Sequence, residues 1–168
     1  MRPELVVPRL SVAASLRAAA TAPGWDAHEA YRGAADLDDE GFERWIAALL
    51  ADTRDGAARP DGFVPSTNLW WVQGREYLGR VQVRHRLTPH LRELGGHIGY
   101  WVAPAVRRRG HATAMLAAAL PVAQQLGIEC ALVTCDVDNV GSRRAIERNG
   151  GLFADRRGSK LRFWVPTG

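Results

Sequence analysis

Lysine is almost missing from these 168 residues: Lys160 stands alone, and arginine supplies nearly all the positive charge behind a net charge of +4. A basic balance admits nucleic acid or a small polyanion as partner. Nucleic acid calls for arginines spread along a face with interleaved aromatics. Here the densest cluster, Arg107 to Arg109, sits at one strand-to-helix junction. A compact anion is therefore expected, and no nucleic acid. Cysteine is scarce too: Cys130 and Cys135 lie five apart in a strand-like run, where an odd spacing turns side chains to opposite faces and makes a mutual disulfide geometrically poor. That excludes a disulfide-stapled secreted scaffold. No run of apolar residues reaches the length of a membrane span. Pro8, Arg9 and Arg17 interrupt the apolar N-terminal segment before it could serve as a signal-peptide core. The expected location is cytoplasmic, with no membrane partner. Recurrent metal-ligand spacings are also missing. The nearest case has Asp136, Asp138, Gly141 and Glu147 at calcium-loop positions 1, 3, 6 and 12, but Val140 supplies no oxygen and Arg143 and Arg144 bring positive charge into the loop, so no metal is expected.

What is present suffices for a core: 46% of the residues are hydrophobic, which fits one domain over 1–168 without staples. Residues 1–60 read as an N-terminal strand and helices. "DLDDEGFERWIAALLADTR" is amphipathic, with acids at its start and Phe42, Ile46 and Leu49 on one face. "NLWWVQG", "YLGRVQVRHRL" and "HIGYWV" are three short β-rich runs separated by turn formers, as in an antiparallel meander. "HATAMLAAALPVAQQLG" reads as a helix capped by Gly127 and kinked at Pro121; "IECALVTCDV", "VGSRRAIERNGG", "GLFAD" and "KLRFWV" follow as strand, helix, strand and strand. The expected class is mixed α/β, with one central, mostly antiparallel sheet flanked by helices.

The stretch "GYWVAPAVRRRGHATAML" then acquires a physical meaning. A helix N-terminus offers unpaired N–H groups and the positive end of a dipole, so a glycine-containing turn ahead of it can hold phosphate. Arginines around Gly110 add charge-assisted contacts. A merely solvated basic cap is the plainer alternative.

These residues also carry a family resemblance. Arg107-Arg108-Arg109-Gly110-His111-Ala112 resembles the R/Q-x-x-G-x-G/A signature of the GNAT superfamily of acyl-CoA-dependent N-acyltransferases, and Asn139 with Ser142 in "VDNVGSRRAIERNGG" resembles its second signature. The likeness spans about residues 60 to 165, and it is nearest to bacterial predicted acetyltransferases with a "GGHIGY" strand. It implies acetyl-CoA as co-substrate and an amine as acceptor, in a monomer or homodimer. It also implies that the strand residues Tyr100, Trp101 and Val102, the turn residues Arg107 to Thr113, and Asn139 and Ser142 meet the cofactor. One departure stands out: the tyrosine that many members place seven residues after the asparagine, to protonate the departing thiolate, is Ile146 here. A non-catalytic acyl-CoA-binding module is the alternative reading that this departure keeps open.

Transfer to an amine needs a base and donors for an oxyanion. His97 is the first candidate base, since an imidazole suits proton abstraction near neutral pH and related branches carry a glutamate at that position of the strand. Packing is the competing role for that histidine. Glu93 is the alternative base. Tyr100 is not expected to stand in for the missing tyrosine, and the acceptor is open.

Overall fold

The apolar periodicities become elements wherever a cap or turn agrees with them. The computed structural model describes residues 1–26, 31 and 33–168. In chain order the elements are β1 (Glu4–Val6), α1 (Ala13–Ala20), α2 (Asp39–Ala51), β2 (Ser66–Gln73), β3 (Glu76–Arg84), β4 (Ile98–Val102), α3 (His111–Gln125), β5 (Cys130–Asp136), α4 (Val140–Arg148), β6 (Leu152–Arg157) and β7 (Lys160–Pro166). Helix α2 starts where the Asp38 carboxylate accepts the Gly41 N–H at 2.7 Å, with Asp39 and Glu40 in the first turn. It buries Phe42, Ile46 and Leu49, one helical stripe. The alanine-rich segment after residue 12 forms α1, a helix within residues 1–60 whose bounds were not assigned from the sequence; high intrinsic helix propensity and burial of Ala13 and Leu16 account for it. Pro121, expected to kink α3, lies within one continuous helix.

The architecture is mixed α/β, with antiparallel strands flanked by helices. The strands divide into a four-stranded part in the order β1-β2-β3-β4 and a three-stranded part in the order β5-β7-β6. One face packs on α3: Trp71, Val81, Val83 and Ile98 join Met115, Leu116, Ala119 and Ala123 in a continuous core that extends to Val133, Ile146 and Phe163. On the other side Trp70, Val72 and Tyr77 meet Leu16, Phe42 and Ile46, with edge-to-face rings such as Tyr31 on Trp45 at 5.0 Å. Both cores grip the four-stranded part, which fixes β4 in place and leaves the break between β4 and β5 as the feature that shapes the site.

Candidate active site

Strands β4 and β5 touch at one end and part beyond it. Gly96, with φ of +65°, brings the chain so close to β5 that a Cβ there would stand 2.4 Å from the Leu132 carbonyl oxygen. The next residue stitches the strands twice: the His97 N–H donates to Leu132 O at 2.7 Å, and the Leu132 N–H donates to His97 Nδ1 at 2.9 Å. Beyond this stitch β4 pairs, among the described residues, only with β3. Its antiparallel register, together with the bonds from Arg84 N–H to His97 O and from Ala103 N–H to Leu78 O, spends the odd-numbered peptide groups on β3. The peptide groups of Tyr100 and Val102 therefore face the open edge, where an extended amide-bearing chain can pair with them.

The turn that follows leads straight to a helix N-terminus. Arg108 and Gly110 both have positive φ, +65° and +85°, and Gly110 is the residue from which α3 starts. No side chain caps this start, so the first N–H groups of α3 are available to an anion. Arg107 lies across the groove mouth: its Nε donates to Val102 O at 2.9 Å and its Nη2 to Asp26 Oδ1 at 2.6 Å. Asp26 also accepts the Trp101 indole N–H at 2.8 Å. The Arg107 hydrogen bond holds the Asp26 carboxyl below the ordinary carboxylate range. His111 accepts the Trp71 indole N–H through Nδ1 at 3.2 Å, which keeps the ring neutral; burial lowers its pKa, and the nearby Arg109 adds to that.

Helix α4 supplies the far wall. Asn139 caps it by accepting the Ser142 N–H at 3.0 Å, and Asn149 Nδ2 ties its end to α3 by donating to Thr113 O at 3.1 Å. The Ser142 hydroxyl stands 2.7 Å from the Tyr100 hydroxyl. Burial pushes the Tyr100 phenol up to about 12, so it stays protonated. Ile146, one turn after Ser142, is fully buried in the core.

These pieces enclose a groove of about 770 Å³. Of the residues singled out from sequence, Tyr100, Trp101 and Val102 line it from β4, Arg107, Arg108, Gly110, His111, Ala112 and Thr113 from the turn and α3, and Asn139 and Ser142 from α4. Arg109 does not line it. The charged lining residues that went unassigned from sequence are Asp26, Arg144 and Arg148. The last two are spaced i, i+4 on α4, a pattern that puts both cations on one helix face and could have been read from "SRRAIER".

His97 and Glu93 line neither this groove nor the larger cleft described below. With Nδ1 of His97 accepting a backbone N–H, the proton of the neutral ring sits on Nε2, and no lone pair is left to take another. Burial first, then the charges of Arg92 and Arg84, push the imidazole down to about 4. The geometry thus turns the expected base into a strand-to-strand tie. Glu93 is half exposed and faces Arg157 at 3.6 Å, a loose surface ion pair. Cys135 is buried, and burial pushes its thiol up, as befits an inert core residue.

A second cleft, of about 1310 Å³, opens between α2, the segment that follows it, and the face of β2 and β3 turned away from α3. Its floor carries Ser66 and Asn68 of β2 and Arg80, Gln82 and Arg84 of β3; its walls include Trp45, Leu49, Phe63 and Leu94.

The sequence matches the acetyltransferase (GNAT) domain family over residues 9–151. The chain belongs to the GNAT acetyltransferase family. Solved structures with this fold include RimJ of Mycobacterium smegmatis in complex with CoA-disulfide, at 18% identity and a TM-score of 0.64 over 96% of this chain and 79% of that one. A Thermoplasma acidophilum PaiA N-acetyltransferase in complex with coenzyme A aligns at 13% identity and a TM-score of 0.60 over 99% of both chains. A spermidine N-acetyltransferase SpeG chimera from Vibrio cholerae and hSSAT aligns at 12% identity and a TM-score of 0.61, covering 99% of this chain and 96% of that one. A comparison with curated proteins finds no significant match. In this GNAT acyltransferase no helix is long and apolar enough to cross a membrane, and no group of metal-ligating side chains is assembled among the described residues.

Proposed function

We propose that this GNAT protein transfers an acetyl group from acetyl-CoA to an amine that enters from the second cleft. The observation that carries the reading is the unpaired edge of β4 beside the Gly110 turn. An extended pantetheine arm fits the free peptide groups of Tyr100 and Val102, and a pyrophosphate fits the uncapped start of α3. Arg107 must release Val102 O for that pairing, and phosphate charge offers its guanidinium a replacement for Asp26. Arg144 and Arg148 give the remaining phosphate charge a partner on α4.

The amine attacks only when neutral, and its proton leaves to water, since neither His97 nor Glu93 faces the groove or the cleft. At the leaving end the Tyr100 and Ser142 hydroxyls are positioned as hydrogen-bond donors. A phenol held near 12 does not give its proton to a thiolate whose conjugate thiol titrates at roughly 8.5; it solvates the developing charge instead. A dedicated acid at position 146 is thus dispensable. The test has two readings: a rise in melting temperature on adding acetyl-CoA, and release of free thiol when an amine panel is added to that complex. Absence of both overturns the proposal.

A further inference from the structure

The floor of the second cleft is chemically unusual for an internal sheet face. Along β3 the alternation Arg80-Val81-Gln82-Val83-Arg84 turns the valines into the α3 core and the three polar residues into the cleft. Asn68 and Ser66 face the same way, being the cross-strand neighbours of Gln82 and Arg84. Most of this polarity is internally spent. Arg84 Nη1 donates to the carbonyls of Gly95 and Gly96 at 3.0 and 3.2 Å, and Asn68 Nδ2 to Leu49 O and Asp52 Oδ2 at 3.2 and 3.3 Å.

Arg80 is the exception. Its guanidinium lies over the Tyr31 ring at 4.8 Å, and its buried Nε has no hydrogen-bond partner among the described residues. A buried donor left unsatisfied destabilises the fold, and cation–π contact compensates only part of that. The charge of the cleft is equally one-sided. Among the described residues, Arg54, Arg59, Arg80, Arg84 and Lys160 line it against the single carboxylate of Asp52, which already accepts from Arg59 at 3.3 Å. Lys160 has its own partner outside, Asp136 at 2.7 Å. Arg80 and Arg84 stand four residues apart on one strand face, about 13 Å along the strand, and the charge of Arg80 joins burial in lowering the pKa of Arg84. An anion in the cleft relieves all three conditions: the orphaned donor, the like-charge pair and the uncompensated field.

The position of Arg80 ties this to the reaction. It is the cross-strand neighbour of Trp101, and Gln82 that of Gly99, so a group held on Arg80 lies one strand spacing from β4 and its open edge. Gly99 leaves that floor uncovered; a Cβ there would already stand 3.5 Å from the Arg84 guanidinium.

We infer that the acceptor is an amine that also carries an anionic oxyacid group, a carboxylate or a phosphate, held by Arg80, with an apolar body against Trp45, Leu49 and Phe63. This rests on the acyl-transfer reading of the two clefts. A polyamine is excluded by the same field.

The experiment compares matched acceptors in the thiol-release assay with acetyl-CoA: phenylalanine against phenylalaninamide for carboxylate, phosphoethanolamine against ethanolamine for phosphate, and spermidine. At least one anionic member should exceed its neutral partner and spermidine tenfold or more in kcat/KM. Arg80→Met should remove that preference through KM, leave the neutral partner unchanged and keep the acetyl-CoA melting shift; Arg80→Lys should restore part of it. Equal or better use of the neutral amines or spermidine overturns the inference, as does an equal loss on both members of a pair. Where no compound turns over, tryptophan fluorescence of the CoA-saturated protein gives the affinities of the same pairs. Equal, weaker or undetectable binding of the anionic members there is also fatal. A missing acetyl-CoA shift, in contrast, strikes the acyl-transfer reading alone, because the fluorescence titration on the protein without CoA still reports the anion preference.

Discussion

The groove beside β4 and the cleft beside β3 recognise their ligands by different means. In the groove the decisive groups are backbone: the unpaired edge at Tyr100 and Val102 and the uncapped N–H groups that follow Gly110. They come from a single stretch of about fifteen residues, and neighbouring side chains only modulate them. In the cleft the decisive groups are side chains from β2, β3, α2 and the segment after α2, brought together by packing. Backbone recognition suits a ligand whose shape is fixed, while side-chain recognition allows the acceptor to vary without disturbing the cofactor site.

The sharpest way to break this contrast is at Gly110. Its φ of +85° is strained for any other residue, although a Cβ there would meet no atom within 4 Å, so the backbone and not the space is what a substitution violates. Gly110→Trp should abolish the stabilisation of about 2.7 kcal/mol that acetyl-CoA gives at a hundredfold excess over its dissociation constant. The apo protein should stay folded. An unchanged thermal shift would remove the phosphate role of the turn.

Gly96 tests whether the parting of the strands depends on the stitch. Gly96→Ala must move either its own backbone or Leu132 O, 2.4 Å from the added carbon, and a loss on the order of 3 kcal/mol in chemical denaturation is expected. A loss within the range of an ordinary surface change shows that the closeness of β4 and β5 is not required.

Smaller in effect is Tyr100→Phe. If the hydroxyl pair solvates the thiolate without protonating it, kcat should fall by less than about a hundredfold with acetyl-CoA affinity intact. A greater fall makes Tyr100 the acid that Ile146 is not.

The smallest effect on turnover is expected at His97. His97→Asn keeps an acceptor for the Leu132 N–H but cannot titrate. The ascending limb of kcat/KM with pH should persist, because it belongs to the acceptor amine. Stability should respond instead. The folded imidazole titrates at about 4, below its unfolded value near 6.5, so the unfolded chain takes the proton first. That contribution is complete above pH 6.5 and is lost as pH falls through about 4. Melting scans across that window should show a shallower decline in the variant than in the wild type. Disappearance of the kinetic limb would return the base role to His97.

Much of this was legible in the sequence. The β-branched and aromatic runs in "NLWWVQG" and "YLGRVQVRHRL", the caps at Asp38 and Asn139 and the glycine before α3 are local signals, because backbone conformation and helix ends respond to residues within a turn of one another. The cofactor stretch was readable for the same reason: strand, turn and helix start are contiguous. Other features depended on assembly. That His97 spends Nδ1 on Leu132, 35 residues away, follows only from how Gly96 brings two strands together. That Arg109 points elsewhere while Arg144 and Arg148 face the groove depends on the docking of α4 against α3. The polar face of β3 was written plainly in "RVQVR", but a period of two says only that one face differs from the other. Whether the polar face met solvent, a helix or a cleft was decided by where α2 and the segment after it came to rest, since burial and electric field are sums over every element packed nearby.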